Sequence, residues 1–208
     1  MEESFPSWLI SIGILVCIAG FLLFTLIYRI KRRRRYDLAK ITLSDIDQMT
    51  GFEFEDYLYV LFAALEYEQT FMTKKSRDFG ADLFFIDGEN RRTVVQAKRL
   101  TEKLGLQAVQ EVYTARAYYG AEIAIIITST DLVSDPCRKL AAAAKVKIID
   151  REKLKEIIAL FKRGRLQAAK ELVEEPYEFV EFNSKMSLEV IEQRRGIIQA
   201  GDYFYKLP

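Results

Sequence analysis

Hydrophobic residues are unevenly spread along this chain, and the longest uncharged run lies close to the N-terminus. Residues 8–28 form 21 consecutive positions without a charged side chain. At about 1.5 Å per residue, a helix of this length spans roughly 30 Å, which is the thickness of a bilayer core. The pattern therefore predicts a single transmembrane helix.

The charges on the two flanks of this run are opposite in sign. Glu2 and Glu3 precede it, whereas residues 29–35 include six Lys or Arg residues. Because positive flanks stay in the cytoplasm, we expect the N-terminus outside and the remaining chain in the cytoplasm, with lipid contacts through residues 8–35. A cleavable signal peptide is the alternative, but the acidic start and the arginine-rich sequence after the run disfavour it.

After residue 36 the apolar positions follow the shorter patterns of helices and strands. Thr50 and Glu53 have the spacing of a capping box, and apolar residues repeat every three or four positions after them. Helices are predicted at residues 43–49, over about sixteen residues from 50, and at 106–119, 134–144 and 152–161. Strands are predicted at residues 67–73, 83–87, 93–98, 122–129 and 146–150. A hairpin followed by alternating strands and helices predicts an α/β fold, with a mixed sheet flanked by helices.

The C-terminal part has a less regular pattern. It reads as helical over 166–173, is interrupted at Pro176, alternates like a strand over 177–182 and becomes helical again over 188–195. We therefore predict three parts: an anchor with a basic cytoplasmic flank in residues 1–36, an α/β domain in residues 37–163, and an extension of unassigned role in residues 164–208.

Composition excludes several kinds of chemistry. The chain has no histidine, which excludes histidine metal sites, histidine-dependent nucleases and Ser-His-Asp triads. Its two cysteines, Cys17 and Cys137, are too few for a cysteine zinc site. Residues 37–208 carry a net charge of −3, so nucleic-acid binding requires a local basic patch. One span followed by a large soluble part disfavours a transporter or a membrane sensor.

Three polar residues flank the predicted hairpin. Asp82 opens its first strand, and Gln96 and Lys98 close the second. Residues two apart on a strand face the same way, so Gln96 and Lys98 project together, with Asp82 close to them if the strands pair. A carboxylate, an amide oxygen and an ammonium at one sheet edge suit a divalent metal and a phosphate. The alternative is a turn aspartate beside an edge strand that leaves the core.

An ordered set of short motifs surrounds these residues over about positions 45–155. It resembles the Mrr-type catalytic domain of the PD-(D/E)xK nuclease superfamily, in which glutamine replaces the second acidic residue. The matching segments are Thr50-Gly51-Phe52-Glu53-Phe54-Glu55, Gly80-Ala81-Asp82, Gln96-Ala97-Lys98, Val109-Gln110-Glu111, residues 124–129 and residues 146–150. The fold implied is restriction-endonuclease-like.

The resemblance implies a role for each residue of the site. Asp82, the Gln96 amide oxygen and the Ala97 carbonyl would hold Mg²⁺, with Mn²⁺ as an alternative. Lys98 would orient the attacking water and stabilise the charge that develops on the phosphate. Glu55 matches the acid on the first helix of the family, where it would bond a metal-bound water or Lys98. The alternative for Glu55 is an ordinary solvated helix residue.

Basic residues are frequent around these motifs and are predicted to contact DNA phosphates. They are Lys74, Lys75, Arg77, Arg99 and Lys103, together with Arg91 and Arg92. Their loops and strand ends are expected to converge on one side of the sheet. Ordinary solvated loop charge is the alternative.

The resemblance implies an Mg²⁺-dependent endonuclease that acts in restriction and hydrolyses DNA phosphodiester bonds, and the predicted transmembrane helix would anchor it to the membrane. DNA is the expected partner, and a homodimer is a further expectation. The alternative is a non-catalytic DNA-binding or scaffold protein that is tethered to the membrane and keeps the nuclease fold. It is favoured by Gln96 in place of the second acid and by the acidic net charge of residues 37–208.

Overall fold

The computed structural model describes residues 7–73 and 79–183, with Lys185, Leu188 and residues 197–200 and 203–206. The chain forms two compact units, Met1–Glu178 and Phe179–Pro208. The first unit holds the N-terminal helix and the α/β fold. The second holds a short hairpin.

The N-terminal run forms one long helix, α1, at Ser7–Tyr36. Within it, Ser11–Ile30 is long and apolar enough to cross a membrane, and none of that window is buried. Among the described residues it is the one helix that meets this criterion. The helix is compatible with the predicted anchor, and N-terminal signal sequences meet the same criterion.

Two capped helices lead into the sheet. The short helix α2 is Leu43–Ile46, and α3 is Gly51–Ala64. The predicted capping box is confirmed: Thr50 Oγ1 accepts a hydrogen bond from the Glu53 amide at 3.2 Å, and Glu53 Oε2 accepts one from the Thr50 amide at 2.8 Å. This reciprocal pair satisfies two amides that the first helical turn leaves without partners and fixes where α3 begins.

The predicted mixed sheet is confirmed, with five strands in sequence order. They are β1 (Glu68–Met72), β2 (Leu83–Ile86), β3 (Arg92–Lys98), β4 (Ile123–Thr128) and β5 (Lys147–Ile149). The β1–β2 and β2–β3 pairs are antiparallel, and the β3–β4 and β4–β5 pairs are parallel. The antiparallel and parallel halves of the sheet thus meet at β3, which is the central strand of the five.

Helices cover both faces of this sheet. The remaining helices of the first unit are α4 (Leu106–Tyr118), α5 (Asp135–Ala144), α6 (Arg151–Lys162) and α7 (Leu166–Glu174). Side chains alternate along β3, so Val94 packs in one core with α4 and α5, and Val95 in another with α3, α6 and α7. By the same alternation, Gln96 and Lys98 lie on the α4 face and Ala97 on the α3 face.

The helix predicted at residues 166–173 is confirmed as α7, and it packs against the α/β fold. The helix α7 starts inside the predicted extension, and its Val173 lies in the α3-side core. Buried Lys147 donates to the carbonyls of Leu172 and Val173 at 2.6 and 2.9 Å, and burial lowers the pKa of its ammonium to about 8. These contacts hold the end of α7 against β5.

Two further predictions concern this part of the chain. The strand predicted at residues 177–182 is wrong, because those residues have no regular secondary structure and Phe179 stays 81% exposed. The helix predicted at 188–195 lies outside the described residues, apart from Leu188. The hairpin of β6 (Ile197–Ala200) and β7 (Tyr203–Lys206) was not predicted.

Candidate active site

The hairpin register brings Asp82 beside Gln96. Leu83 pairs with Val95, so the residue before β2 lies opposite the residue after Val95. Asp82 Oδ2 accepts hydrogen bonds from Gln96 Nε2 at 2.6 Å and from the Ala97 amide at 2.7 Å. Both side chains are buried, with residue exposures of 8% for Asp82 and 6% for Gln96.

The Asp82 carboxylate occupies the place where the β2–β3 ladder ends. The Asp82 amide still donates to the Val95 carbonyl at 2.8 Å, but the next amide on that side, Ala97, bonds the carboxylate instead of a strand carbonyl. The amide and carbonyl of one strand residue point to the same side. The Ala97 carbonyl therefore lies on the β2 side of β3, just past the end of the ladder, as its predicted role requires.

Lys98 forms an ion pair that the sequence did not indicate. Its Nζ lies 2.7 Å from Glu111 Oε2 on α4, and each side chain is 28% exposed. Glu111 Oε1 accepts a hydrogen bond from Gln107 Nε2 at 2.8 Å. Glu111 Oε2 is buried and accepts no hydrogen bond of favourable geometry within the described chain, despite its short distance to the ammonium. It keeps acceptor capacity beside Lys98.

Gly80 holds the loop before Asp82 against α4. A Cβ at Gly80 would lie 2.5 Å from the Glu111 carbonyl oxygen, and the glycine has φ +89°. From the other side, Thr73 donates through its amide to the Asp82 carbonyl at 2.9 Å and through Oγ1 to the Ala81 carbonyl at 2.6 Å. Position 80 therefore requires glycine both for its backbone angle and for the close approach.

Glu55 is the one predicted catalytic residue on the opposite layer. It belongs to α3, whose buried residues Phe54 and Leu58 share a core with Val95 and Ala97. The contacts above join Asp82 to Gln96 and Ala97, and they join Lys98 to Glu111 on α4. The proposed role of Glu55 stays a prediction.

The basic residues do not all gather at this edge. Arg99 and Lys103 follow the end of β3; Lys103 is exposed, and Arg99 Nε is buried without a hydrogen bond in the described chain. Lys74, Lys75 and Arg77 lie outside the described residues. The expectation that Arg91 and Arg92 also lie at this edge of the sheet is wrong.

Arg91 and Arg92 lie at the other end of the hairpin. Arg92 begins β3, seven residues long, and pairs with Ile86, so it is a strand length away from Lys98. Arg91 forms ion pairs with Asp87 at 2.8 Å and with Glu89 at 2.7 Å. Both arginines are adjacent to the motif in sequence, but the ion pairs of Arg91 are with residues of the β2–β3 turn.

The donor set determines which metal would fit. Within the described residues there is no group of three or more His, Cys, Asp or Glu side chains that could hold a metal ion. The candidate donors are one carboxylate from Asp82, the Gln96 amide and the Ala97 carbonyl. All supply oxygen, which is the ligand type that Mg²⁺ prefers, and Mg²⁺ commonly keeps several waters. The residues fit a weakly held Mg²⁺ and do not fit a zinc ion.

A comparison with protein families now gives the relationship. The family model Mrr_cat, described as a restriction endonuclease, matches residues 46–158, more than half of the chain. The chain belongs to the Mrr_cat restriction endonuclease family. The matched region runs from the end of α2 into α6, so it contains the whole five-stranded sheet and the site around Asp82. No curated protein and no solved structure matches the chain significantly.

Membership in the restriction endonuclease family confirms the predicted resemblance. It supports a nuclease function, and a nuclease domain implies DNA as the substrate. The match leaves out α1 and the residues after 158, so these parts have no functional assignment from the family.

One prediction concerns the stability effect of Gly80. We expect Gly80→Ala to lower the free energy of unfolding by about 2–4 kcal/mol, because it combines a left-handed backbone angle with a clash against Glu111. Gly164→Ala is the matched control: Gly164 has φ +71° but nothing lies within 4 Å of its added Cβ, so the loss should be about 1 kcal/mol. Urea unfolding of the purified protein measures both. Equal losses would show that Gly80 does not press on α4.

Proposed function

We propose that this protein is a membrane-anchored, Mg²⁺-dependent restriction endonuclease that hydrolyses DNA phosphodiester bonds. One observation carries the proposal. In the region that matches the restriction endonuclease family, a buried Asp82 carboxylate is bonded to Gln96 and Ala97 at the end of the β2–β3 ladder. Burying a carboxylate costs free energy that hydrogen bonds must offset, and such groups are common at functional sites. Gln96 and Ala97, which bond this carboxylate, also carry further oxygen donors.

Asp82, Gln96 and Ala97 would hold the metal ion. Mg²⁺ supplies charge stabilisation to the phosphate and lowers the pKa of a bound water. With a single carboxylate the protein supplies little negative charge of its own, so we infer that affinity for Mg²⁺ depends on the DNA phosphate as well. The amide of Gln96 both orients Asp82 through Nε2 and keeps an oxygen for coordination.

Lys98 would stabilise the negative charge that develops on the phosphate during hydrolysis. Its ammonium is restrained by Glu111, which Gln107 holds in turn. A lysine that is oriented in advance needs no rearrangement when the charge develops, which is the condition for efficient electrostatic stabilisation. Glu111 would thus act as a positioning residue for Lys98.

The DNA would pass the end of β3. Arg99 and Lys103 follow Lys98 in the chain, and phosphate contacts by such residues fix a duplex in position without reading its sequence. We keep Lys74, Lys75 and Arg77 in this role as a prediction from their place in the sequence. The catalytic role of Glu55 and a homodimeric assembly are likewise kept as predictions from the sequence.

The helix α1 would anchor the enzyme. Its length and composition suit a bilayer, and the basic residues after it favour a cytoplasmic nuclease domain with the N-terminus outside. The enzyme would then meet DNA at the inner face of the membrane.

A non-catalytic scaffold is the second candidate. It is favoured by Gln96 in place of a second acid and by the net charge of −3 on residues 37–208. A scaffold would bind DNA with this fold and cut none of it.

The catalytic prediction compares two buried aspartates at the two ends of β2. Asp82→Asn should abolish cleavage of plasmid DNA and weaken Mg²⁺ binding, because it removes the carboxylate of the donor set. Asp87 is 7% exposed and accepts hydrogen bonds from the backbone amides of Glu89 and Arg91. Asp87→Asn should therefore lower stability and leave cleavage intact. Plasmid nicking and calorimetric Mg²⁺ titration of the full-length protein in detergent test this.

Comparable cleavage by both aspartate variants would refute the proposed site. Absence of cleavage by the wild-type protein with either Mg²⁺ or Mn²⁺ would favour the scaffold.

A second prediction concerns the Lys98–Glu111 pair. Lys98→Met should lower the single-turnover rate by about 10²–10⁴-fold and leave Mg²⁺ binding unchanged. Glu111→Gln should lower the same rate less, because the ammonium remains but is no longer held. Glu175→Gln is the control, since it breaks an ion pair of equal length, with Lys153 at 2.7 Å, on another helix. A faster Glu111→Gln enzyme would mean that the pair restrains Lys98 from acting.

A third prediction concerns topology. A cysteine introduced at Ser4 should react with a membrane-impermeant thiol reagent in intact cells. A cysteine at exposed Lys103 should react after the membrane is permeabilised and not before. The reverse labelling would contradict both the orientation and any action on cytoplasmic DNA.

A further inference from the structure

Two exposed aromatic rings are stacked on the α4 side of the sheet. The rings of Phe79 and Tyr118 have their centroids 4.0 Å apart and are inclined by 22°. Phe79 is 46% exposed and Tyr118 is 59% exposed. Rings exposed to this extent contribute little to a core, so packing alone does not explain the pair.

This aromatic pair is tied to the proposed active site through the backbone. Phe79 is followed by Gly80 and Ala81 and then by Asp82, and Gly80 lies directly against the Glu111 carbonyl. Tyr118 comes two helical turns after Glu111 on α4, which is about 10 Å along the helix axis. The same loop and the same helix therefore fix both the catalytic groups and the aromatic pair.

The backbone of Phe79 has an unusual conformation. Its φ is +50°, in the left-handed region that bulky residues rarely adopt. Holding a phenylalanine there costs free energy, and such costs are commonly found where function requires a particular geometry. The conformation directs the chain from the exposed ring into the close contact at Gly80.

A third aromatic ring extends this surface. Tyr119 meets the Tyr118 ring edge-on, with centroids 4.9 Å apart. Exposed aromatic faces are the groups on which the bases of unpaired nucleotides stack.

We propose that Phe79 and Tyr118 form a stacking site for an unpaired nucleobase close to the cleaved phosphodiester. The inference rests on the proposed function, because it takes DNA as the substrate. In a duplex the ring faces of each base are covered by the neighbouring base pairs. The site would therefore bind a base that is single-stranded, frayed or flipped out of the helix. The enzyme should therefore prefer DNA with unpaired nucleotides beside the cut.

The test uses DNA with 2-aminopurine, a fluorescent base that is quenched when it stacks. Full-length protein in detergent, without divalent metal, is titrated with a duplex whose 2-aminopurine lies in a short single-stranded gap, and with the fully paired duplex. Wild-type protein should quench the 2-aminopurine fluorescence of the gapped duplex and bind it more tightly than the fully paired duplex. Phe79→Leu and Tyr118→Leu should each weaken binding of the gapped probe about tenfold and leave binding of the paired probe unchanged.

Phe52→Leu is the matched control, because Phe52 is 58% exposed on α3, which packs on the other face of the sheet. It should bind both probes like the wild type. Thermal unfolding of each variant checks that the fold is kept.

Two results would overturn the stacking site. One is equal binding of the gapped probe by all the variants. The other is a change in oligomeric mass, measured by light scattering for the Phe79 and Tyr118 variants alone, which would make the surface an interface between copies of the chain. Mg²⁺-dependent cleavage by the wild type is measured separately, so a failure of the nuclease proposal is distinguished from a failure of the stacking site.

Discussion

The structure depends most on the carboxylate of Asp82 and its two hydrogen bonds. Where the β2–β3 ladder ends, the Ala97 amide donates to this carboxylate instead of to a strand carbonyl. Together with the bond from Gln96, it joins the residue before β2 to β3, the central strand of the sheet. A buried carboxylate is tolerated when charge-assisted hydrogen bonds replace the water it has lost. The same bonds join Asp82 to Gln96 and Ala97, which are the other two proposed oxygen donors. Folding and the proposed chemistry therefore use one arrangement.

Helix α4 is the second element that organises the site. Glu111 alone contributes a carboxylate oxygen to Lys98, another to Gln107, and a backbone carbonyl against which Gly80 packs. A shift of α4 would therefore move Lys98 and the Asp82 loop together. This coupling explains why a helix with no residue among the predicted catalytic groups is still part of the site.

The sequence was most informative where local rules determine structure. The alternation on β3, the register of a short hairpin and the Thr50 capping box all act over a few residues, and all agree with the structure. The pairing of Lys98 with Glu111 was missed, because it depends on how α4 docks on the sheet. Tyr113 follows Val109 at helical spacing and is nevertheless half exposed, since Ala108, Val109, Val112 and Ala115 already fill the buried side of α4. Residues 177–182 alternate but pair with no strand of the part of the chain that the structure describes.

The central claim is that a site with one carboxylate and a glutamine remains an active, metal-dependent nuclease. The most direct measurement is DNA cleavage as a function of Mg²⁺ concentration, for wild type and for Gln96→Glu, with full-length protein in detergent. The account predicts that the wild type cuts and that Gln96→Glu reaches half-maximal cleavage at a lower Mg²⁺ concentration, because a second carboxylate strengthens the donor set. Cleavage by Gln96→Glu with no cleavage by the wild type at any concentration of Mg²⁺ or Mn²⁺ would contradict it.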